Sequence, residues 1–241
     1  MSSLNPIFIK ATTLSDAWFQ TIYRCVEQGR EFTIDQGSFE GQKRLEFDFV
    51  TIQINQPWVT PLLPKVNPLL GFPDPVEEGY LDDYLPYLMT GQEKEGESYT
   101  YGQRLCSVKI SETKILSQME RMIKTYKDNG HRNNQMILQV GQPSDMLLQD
   151  PPCLRHIDTR IQDGKLHFFP YFRSWDLFGG FPANLAAIEM MKQYCADQIG
   201  VENGSIIASS KGLHLYDYVW EIAEAIRGRA INEFRNEGAN A

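Results

Sequence analysis

Helical and strand patterns mix irregularly along this chain. That mixture predicts an α+β fold, a single domain built on a large mixed β-sheet flanked by helices. Three observations carry the prediction. Apolar residues recur at helical spacing in several separated stretches. Strand patterns cluster around an Asp-Gly turn instead of alternating one by one with helices. The length of 241 residues is enough for one large domain with a sizeable core.

The first helix is expected over Leu14 to Gln28, where Leu14, Trp18, Ile22 and Val26 recur at every fourth position and Gly29 stops the run. Arg44 to Ile54 reads as one strand. Leu45, Phe47 and Phe49 share a face, whereas Ile52 and Ile54 fall in the other register, so a bulge or bend is expected near Val50 or Thr51. Six prolines between Pro57 and Pro75 predict a long surface loop. Glu112 to Lys127 reads as an amphipathic helix, with Ile115, Leu116, Met119, Met122, Ile123 and Tyr126 as its apolar stripe and Asn129-Gly130 as its end. Met136 to Val140 predicts a short strand. Thr159 to Phe172 predicts two strands joined at Asp163-Gly164, which supplies the positive φ angles of a tight turn. Asn184 to Ile199 reads as a helix ended by Gly200, Ser205 to Ser209 as a strand, and Tyr218 to Ile226 as a last helix. The tail after Gly228 reads as polar and loose.

The bulk numbers narrow the function classes. Asp and Glu total 31 against 23 Lys and Arg, a net charge of −8. That balance argues against general nucleic-acid binding or an anionic membrane surface, while leaving room for a local basic pocket. No stretch approaches the roughly 20 apolar residues of a membrane span. Met1 to Pro6 lacks the basic and apolar regions of a signal peptide. Cys25, Cys106, Cys153 and Cys195 are widely spaced, which suits reduced thiols and a cytoplasmic location. Without a CxxC pair, no structural zinc site is expected.

A few residues stand out chemically. Cys153 follows Pro151-Pro152, which hold the chain extended, and precedes Arg155, which favours a thiolate. A buried structural cysteine is the competing reading for any lone thiol. Arg173-Ser174 closes the aromatic run Phe168 to Phe172, where a guanidinium needs an anion, either a ligand phosphate or a neighbour such as Asp176. Gly179-Gly180-Phe181-Pro182-Ala183-Asn184 is a turn into a helix; Asn184 is either its N-cap or the reader of a pyrimidine edge. His214 and Tyr216 alternate in an extended piece and share a face suited to a sugar hydroxyl. Tyr101-Gly102 is a polar aromatic turn.

Together, and in order from about Tyr101 to Asp217, these segments resemble thymidylate synthase, with Phe172-Arg173-Ser174-Trp175-Asp176-Leu177 the most specific phrase. The resemblance implies a thymidylate synthase-like fold, a homodimer, and reductive methylation of dUMP to dTMP. It implies that Cys153 adds to carbon 6 of dUMP and that carbon 5 then attacks the methylene group of a reduced pterin. Arg173 and Ser174 would bind the phosphate, Asn184 would select uracil, and His214 with Tyr216 would hold the deoxyribose. Tyr101 would order water near carbon 5, and Asp176 with Gly180 would hold the pterin.

Departures from the family pattern are visible. Leu154 stands where the family has a histidine after its nucleophile. The segment His131-Arg132-Asn133-Asn134 stands where the family has an arginine pair that reaches the partner subunit's phosphate, so Arg132 alone is left for that contact, with Arg155 a substitute. Asp82 or Asp83 is the nearest counterpart of an acidic family residue. Only 25 residues follow Tyr216, without a recognisable family-type C-terminal extension. The chain thus looks like a short, archaeal-type branch, for which 5,10-methylenetetrahydrofolate or a methanopterin analogue is the expected carrier. A pyrimidine nucleotide hydroxymethylase, or a nucleotide- or RNA-binding protein of the same fold, is the alternative.

Overall fold

The computed structural model describes residues 3–35, 39–93, 97–231 and 233. Twelve strands are present in the described residues: β1 (Pro6–Ala11), β2 (Arg30–Thr33), β3 (Lys43–Glu46), β4 (Phe49–Ile54), β5 (Val108–Ser111), β6 (Lys114–Leu116), β7 (Ile137–Gln139), β8 (Leu154–Gln162), β9 (Lys165–Phe172), β10 (Trp175–Asp176), β11 (Glu202–Ser210) and β12 (Leu213–Tyr216). They pair with α1 (Leu14–Gln28), α2 (Tyr80–Met89), α3 (Tyr101–Cys106), α4 (Gln118–Asn129), α5 (Gly180–Ile199) and α6 (Trp220–Arg227) in an α+β arrangement.

The large sheet has the order β1-β4-β11-β9-β8-β7 and is mixed: β1 runs parallel to β4 and β11 parallel to β9, while the other neighbours are antiparallel. A smaller sheet, β10-β12-β3-β2, stands beside it. Helix α1 packs on β1 and β4, α5 on β9 and β11, and α4 on β7. Burial alternates along the strands as a one-sided sheet requires: Leu166, Phe168, Pro170 and Phe172 of β9 face the helices, and His167, Phe169 and Tyr171 face outward. Helix α5 is the central helix, with Phe181, Leu185, Ala186, Ile188, Met191 and Cys195 all buried. Asp163 at φ 51° and Gly164 at φ 74° form the expected hairpin turn between β8 and β9.

Several boundaries differ from the sequence reading. Arg44 to Ile54 is two strands, in different sheets, that break at Phe47-Asp48 rather than near Val50. The register conflict between Phe47 and Ile52 thus reflects a change of sheet. Glu112 to Lys127 is not one helix: Lys114–Leu116 is β6 of a hairpin, Ile115 is exposed, and α4 starts only after Ser117, whose hydroxyl caps Glu120 N–H at 3.2 Å. The helix before Gly200 starts at Gly180, four residues earlier than expected, so Asn184 lies inside it and is not its N-cap. Strand β1 and helix α2 carried no sequence expectation. Most of the tail after Gly228 lies outside the described residues.

Candidate active site

Cys153 stands immediately before β8, half-buried, where the chain leaves Pro151-Pro152. Two other elements meet it. Tyr101 opens α3, which Thr100 caps by accepting from Gln103 N–H at 2.9 Å, and the Tyr101 hydroxyl accepts from Leu154 N–H at 3.3 Å. A side chain at Gly102 would collide with the carbonyls of Tyr87 and Thr90, so the absence of a Cβ lets α3 sit directly on the end of α2. From the other side, Arg173 N–H donates to the Cys153 carbonyl at 2.9 Å.

The Arg173 guanidinium is engaged through Nε and Nη2. Nε donates to the Pro151 and Pro152 carbonyls at 3.2 and 3.3 Å, and Nη2 donates to the Pro151 carbonyl and to Asp150 Oδ1, the last at 3.1 Å. Its carboxylate neighbour is therefore Asp150 and not Asp176. Ser174 lies in the bend between β9 and β10.

The resting thiol differs from the sequence expectation. Burial pushes Cys153 up, Arg173 pulls it down, Asp150 pushes up again and Arg155 pulls down, and burial prevails, so the thiol lies above its ordinary range. Arg155 is also not the spare phosphate ligand expected. Its Nη1 is tied to Asp145 Oδ2 at 3.2 Å and to the Pro152 carbonyl at 3.3 Å. Asp145, buried, is gripped from the other side by Arg104: Nη1 lies 2.8 Å from Oδ2 and Nη2 2.7 Å from Oδ1, and the Gln142 N–H adds a bond at 2.8 Å. Neither Arg104 nor Asp145 was singled out from the sequence, because nothing local marks a buried ion pair formed across forty residues.

Asn184 sits one turn into α5. Its Oδ1 accepts from the Trp175 indole N–H at 2.9 Å, and its Nδ2 donates to the Tyr84 hydroxyl at 2.6 Å. Tyr84 stacks toward Tyr87 with centroids 5.9 Å apart, and Tyr87 meets Tyr101 at 6.0 Å. With the chain itself joining Cys153 to Leu154 and Arg173 to Trp175, these contacts close a circuit through Cys153, Arg173, Trp175, Asn184, Tyr84, Tyr87, Tyr101 and Leu154, from four distant parts of the chain. Tyr80, Tyr84 and Tyr87 stand at i, i+4 and i+7, a helical stripe legible in the sequence but masked by Pro86 within it. Beside them opens a cleft of about 1060 Å³ lined by Tyr80, Tyr84, Tyr87, Tyr99 and Tyr101 and by the carboxylates of Asp82, Asp83, Glu93 and Glu97.

Parallel pairing of β10 with β12 sets Asp176 beside His214. The Asp176 carboxylate accepts from the N–H groups of Phe178, Gly179 and Gly180 at 3.2, 3.0 and 2.8 Å, which caps α5. Trp18, fully buried on α1, fixes the same turn by donating to the Leu177 and Phe178 carbonyls at 3.1 and 3.0 Å. His214 is buried and its Nδ1 lies 2.9 Å from the Gly212 carbonyl, which can only accept, so Nδ1 carries the proton. Burial holds the imidazole below its ordinary range. Its Nε2 is buried without a hydrogen-bond partner among the described residues. Tyr216 shares its face, ring centroids 4.6 Å apart.

Arg132 is not brought to Cys153 within the subunit. It lines a hollow with Asp163 and Gly164 at the far end of the β8–β9 hairpin, roughly 25 Å along the strand from the thiol at the usual rise per residue.

Residues 80–235 match the family model described as Thymidylate synthase. A Methanosarcina barkeri protein named "Putative thymidylate synthase" is 31% identical over 218 residues, covering 90% of this chain and 93% of its own. The protein of the same name from Methanothermobacter thermautotrophicus is 24% identical over 234 residues, covering 90% and 97%. A Listeria monocytogenes protein named "Thymidylate synthase" is 30% identical over 118 residues, 48% of this chain and 37% of its own. These matches define an enzyme of the methyltransferase type. The chain belongs to the thymidylate synthase family, whose members bind dUMP and a pterin and use a folate-type one-carbon donor. No helix among the described residues is long and apolar enough to cross a membrane.

Proposed function

We propose that this chain converts dUMP to dTMP, working as one domain within a cytoplasmic homodimer. The observation that carries the reading is the circuit that joins Cys153, Arg173, Asn184 and Tyr101. Cys153 Sγ, as the thiolate, adds to carbon 6 of the pyrimidine, and the displaced π electrons make carbon 5 nucleophilic. Burial disfavours that thiolate, and Arg173 is the chief group that favours it. Arg173 and Ser174 bind the phosphate, and Arg132 serves the partner's site. Asn184 reads the uracil edge. The bare Nε2 of His214 accepts the 3′-hydroxyl proton, with Tyr216 beside it. Tyr101 orders the water that takes the carbon 5 proton.

When bound, the reduced pterin would supply the methylene carbon and then the hydride that reduces it to methyl, after which Cys153 Sγ would leave carbon 6 and restore the ring double bond. The tyrosine-lined cleft suits the pterin's flat rings. With three of its lone-pair sites taken, Asp176 retains one for a pterin N–H, next to Gly180. The carrier is 5,10-methylenetetrahydrofolate or a methanopterin analogue. The homodimer reading rests on the uncovered face of the large sheet, where Phe49, His156, Phe169, Tyr171 and Ile207 line a hollow of about 610 Å³.

The test is incubation with dUMP and each reduced pterin, followed by mass spectrometry of the nucleotide. dTMP is expected. A 5-hydroxymethyl product, or none with any carrier, rejects the reading. Sedimentation at the monomer mass of 27.7 kDa would reject the dimer.

A further inference from the structure

We infer that Trp175 sets the base selectivity of this site by locking the side-chain amide of Asn184 in one orientation. The inference rests on the reading of Asn184 as the base-contacting residue. A carboxamide offers two N–H donors on nitrogen and two acceptor lone pairs on oxygen. In this chain one acceptor site is taken by the Trp175 indole N–H at 2.9 Å, and one donor is given to the Tyr84 hydroxyl at 2.6 Å. One donor and one acceptor remain. Uracil presents an N3–H donor next to an O4 acceptor, and the remaining pair meets it in that order. Cytosine presents the reverse, an N3 acceptor next to an N4 donor. A free asparagine reads either base by turning its amide end for end.

The two protein partners are not equivalent in preventing that turn. A tyrosine hydroxyl donates or accepts and tolerates both orientations. An indole N–H can only donate, so a turned amide would set two donors face to face. Trp175 cannot move away to relieve the clash. It is buried, its ring stacks on Phe172 with centroids 3.9 Å apart and packs on Phe181 at 4.7 Å, and its backbone belongs to β10. The price of reading cytosine is therefore an unpaired buried donor pair.

The experiment is calorimetric titration of dUMP and dCMP against wild type, Trp175→Phe and Tyr84→Phe. Phenylalanine keeps the stacked ring and removes the N–H. Trp175→Phe is expected to narrow the dUMP preference about tenfold or more, chiefly by gaining dCMP affinity, and Tyr84→Phe to leave the preference within about twofold. If Trp175→Phe disturbs folding, benzothienylalanine at position 175 keeps the indole shape with sulfur in place of the N–H, and the same narrowing is expected. An unchanged preference in both position-175 variants overturns the assignment. Asn184→Ala separates the two ideas: if it leaves selectivity unchanged, or wild type binds neither nucleotide, the reading of the site has failed and the lock falls with it. If Asn184→Ala abolishes selectivity and the position-175 variants do not alter it, the lock alone is wrong.

Discussion

Asp145→Asn should be among the most destabilising single changes in this chain, although residue 145 lies outside the proposed substrate contacts. The carboxylate is buried and neutralises Arg104, itself only 6% exposed at the side chain, and steadies Arg155. Asparagine keeps the shape and removes the charge, so the Arg104 guanidinium is left uncompensated in the interior. Breaking one side of a buried pair destabilises by about 3–5 kcal/mol. At about 2–4 °C per kcal/mol for a chain of this size, the melting temperature should fall by about 6–20 °C. The assay is thermal unfolding at one fixed protein concentration, since assembly would otherwise shift the midpoint. The double change Arg104→Met with Asp145→Leu should be milder than Asp145→Asn alone, because it removes both charges and fills the space. The pH dependence follows the same pair. Burial pushes the Asp145 carboxyl up, but the Arg104 pair and the Gln142 N–H more than cancel it and leave it below its ordinary value. A depressed carboxylate stabilises fully above its unfolded pKa of about 3.9, and that contribution is lost as pH falls through the lower folded value. Wild type should therefore lose stability below about pH 4 more steeply than Asp145→Asn. A melting shift under about 3 °C for Asp145→Asn would refute the argument that Arg104 depends on this carboxylate.

Cys153→Ala should keep the fold and abolish the covalent adduct with 5-fluoro-dUMP; an adduct mapped to Cys25, Cys106 or Cys195 instead would reject Cys153 as nucleophile. Alkylation of Cys153 by iodoacetamide, followed against pH, should have its midpoint above the ordinary thiol value in wild type, higher still in Arg173→Ala and lower in Asp150→Asn, because Arg173 pulls the thiol down and Asp150 pushes it up. Asp150→Asn should also tighten dUMP binding by about two- to fivefold at low salt, since Asp150 occupies the guanidinium that would hold the phosphate through an exposed, salt-screened pair; weaker binding would show that Asp150 has another role. Gly102→Ala should displace α3 from α2 and slow turnover more than it weakens dUMP, because the collision with the Tyr87 and Thr90 carbonyls moves Tyr101; kinetics matching wild type would exclude a tight α2–α3 contact.

The catalytic half of this chain was more legible than the scaffold half, for physical reasons. Motif residues cluster at strand ends and turns, where local chemistry leaves a signature: Asp163-Gly164 must turn, and His214 with Tyr216 must share a face in an extended piece. Long-range constraints leave none. Trp18 looked like one member of an apolar stripe, but its indole holds the Leu177-Phe178 turn across 159 residues. Phe47 and Ile52 disagree in register because the chain changes sheets between them, and strand periodicity cannot distinguish that from a bulge. Arg155 beside Cys153 suggested a lowered thiol pKa. Burial of the sulfur, a tertiary fact, outweighs the pull of Arg173 and Arg155.

The two prolines before Cys153 illustrate how sequence and site meet. Proline lacks an N–H, so neither Pro151 nor Pro152 can join a regular ladder. Their carbonyls remain open acceptors at the edge of the site, and both are taken by Arg173 Nε, the first also by Nη2. The guanidinium is thereby fastened to the segment that carries the thiol, and its backbone N–H is fastened to the Cys153 carbonyl as well. Neither attachment uses Asp150, so both persist when that carboxylate yields to another anion. In the proposed reading, a phosphate on Arg173 would be registered against Sγ through two residues of chain and a set of short hydrogen bonds, not through the wider fold. That economy explains why a thiol, two prolines and an arginine twenty residues away form one unit.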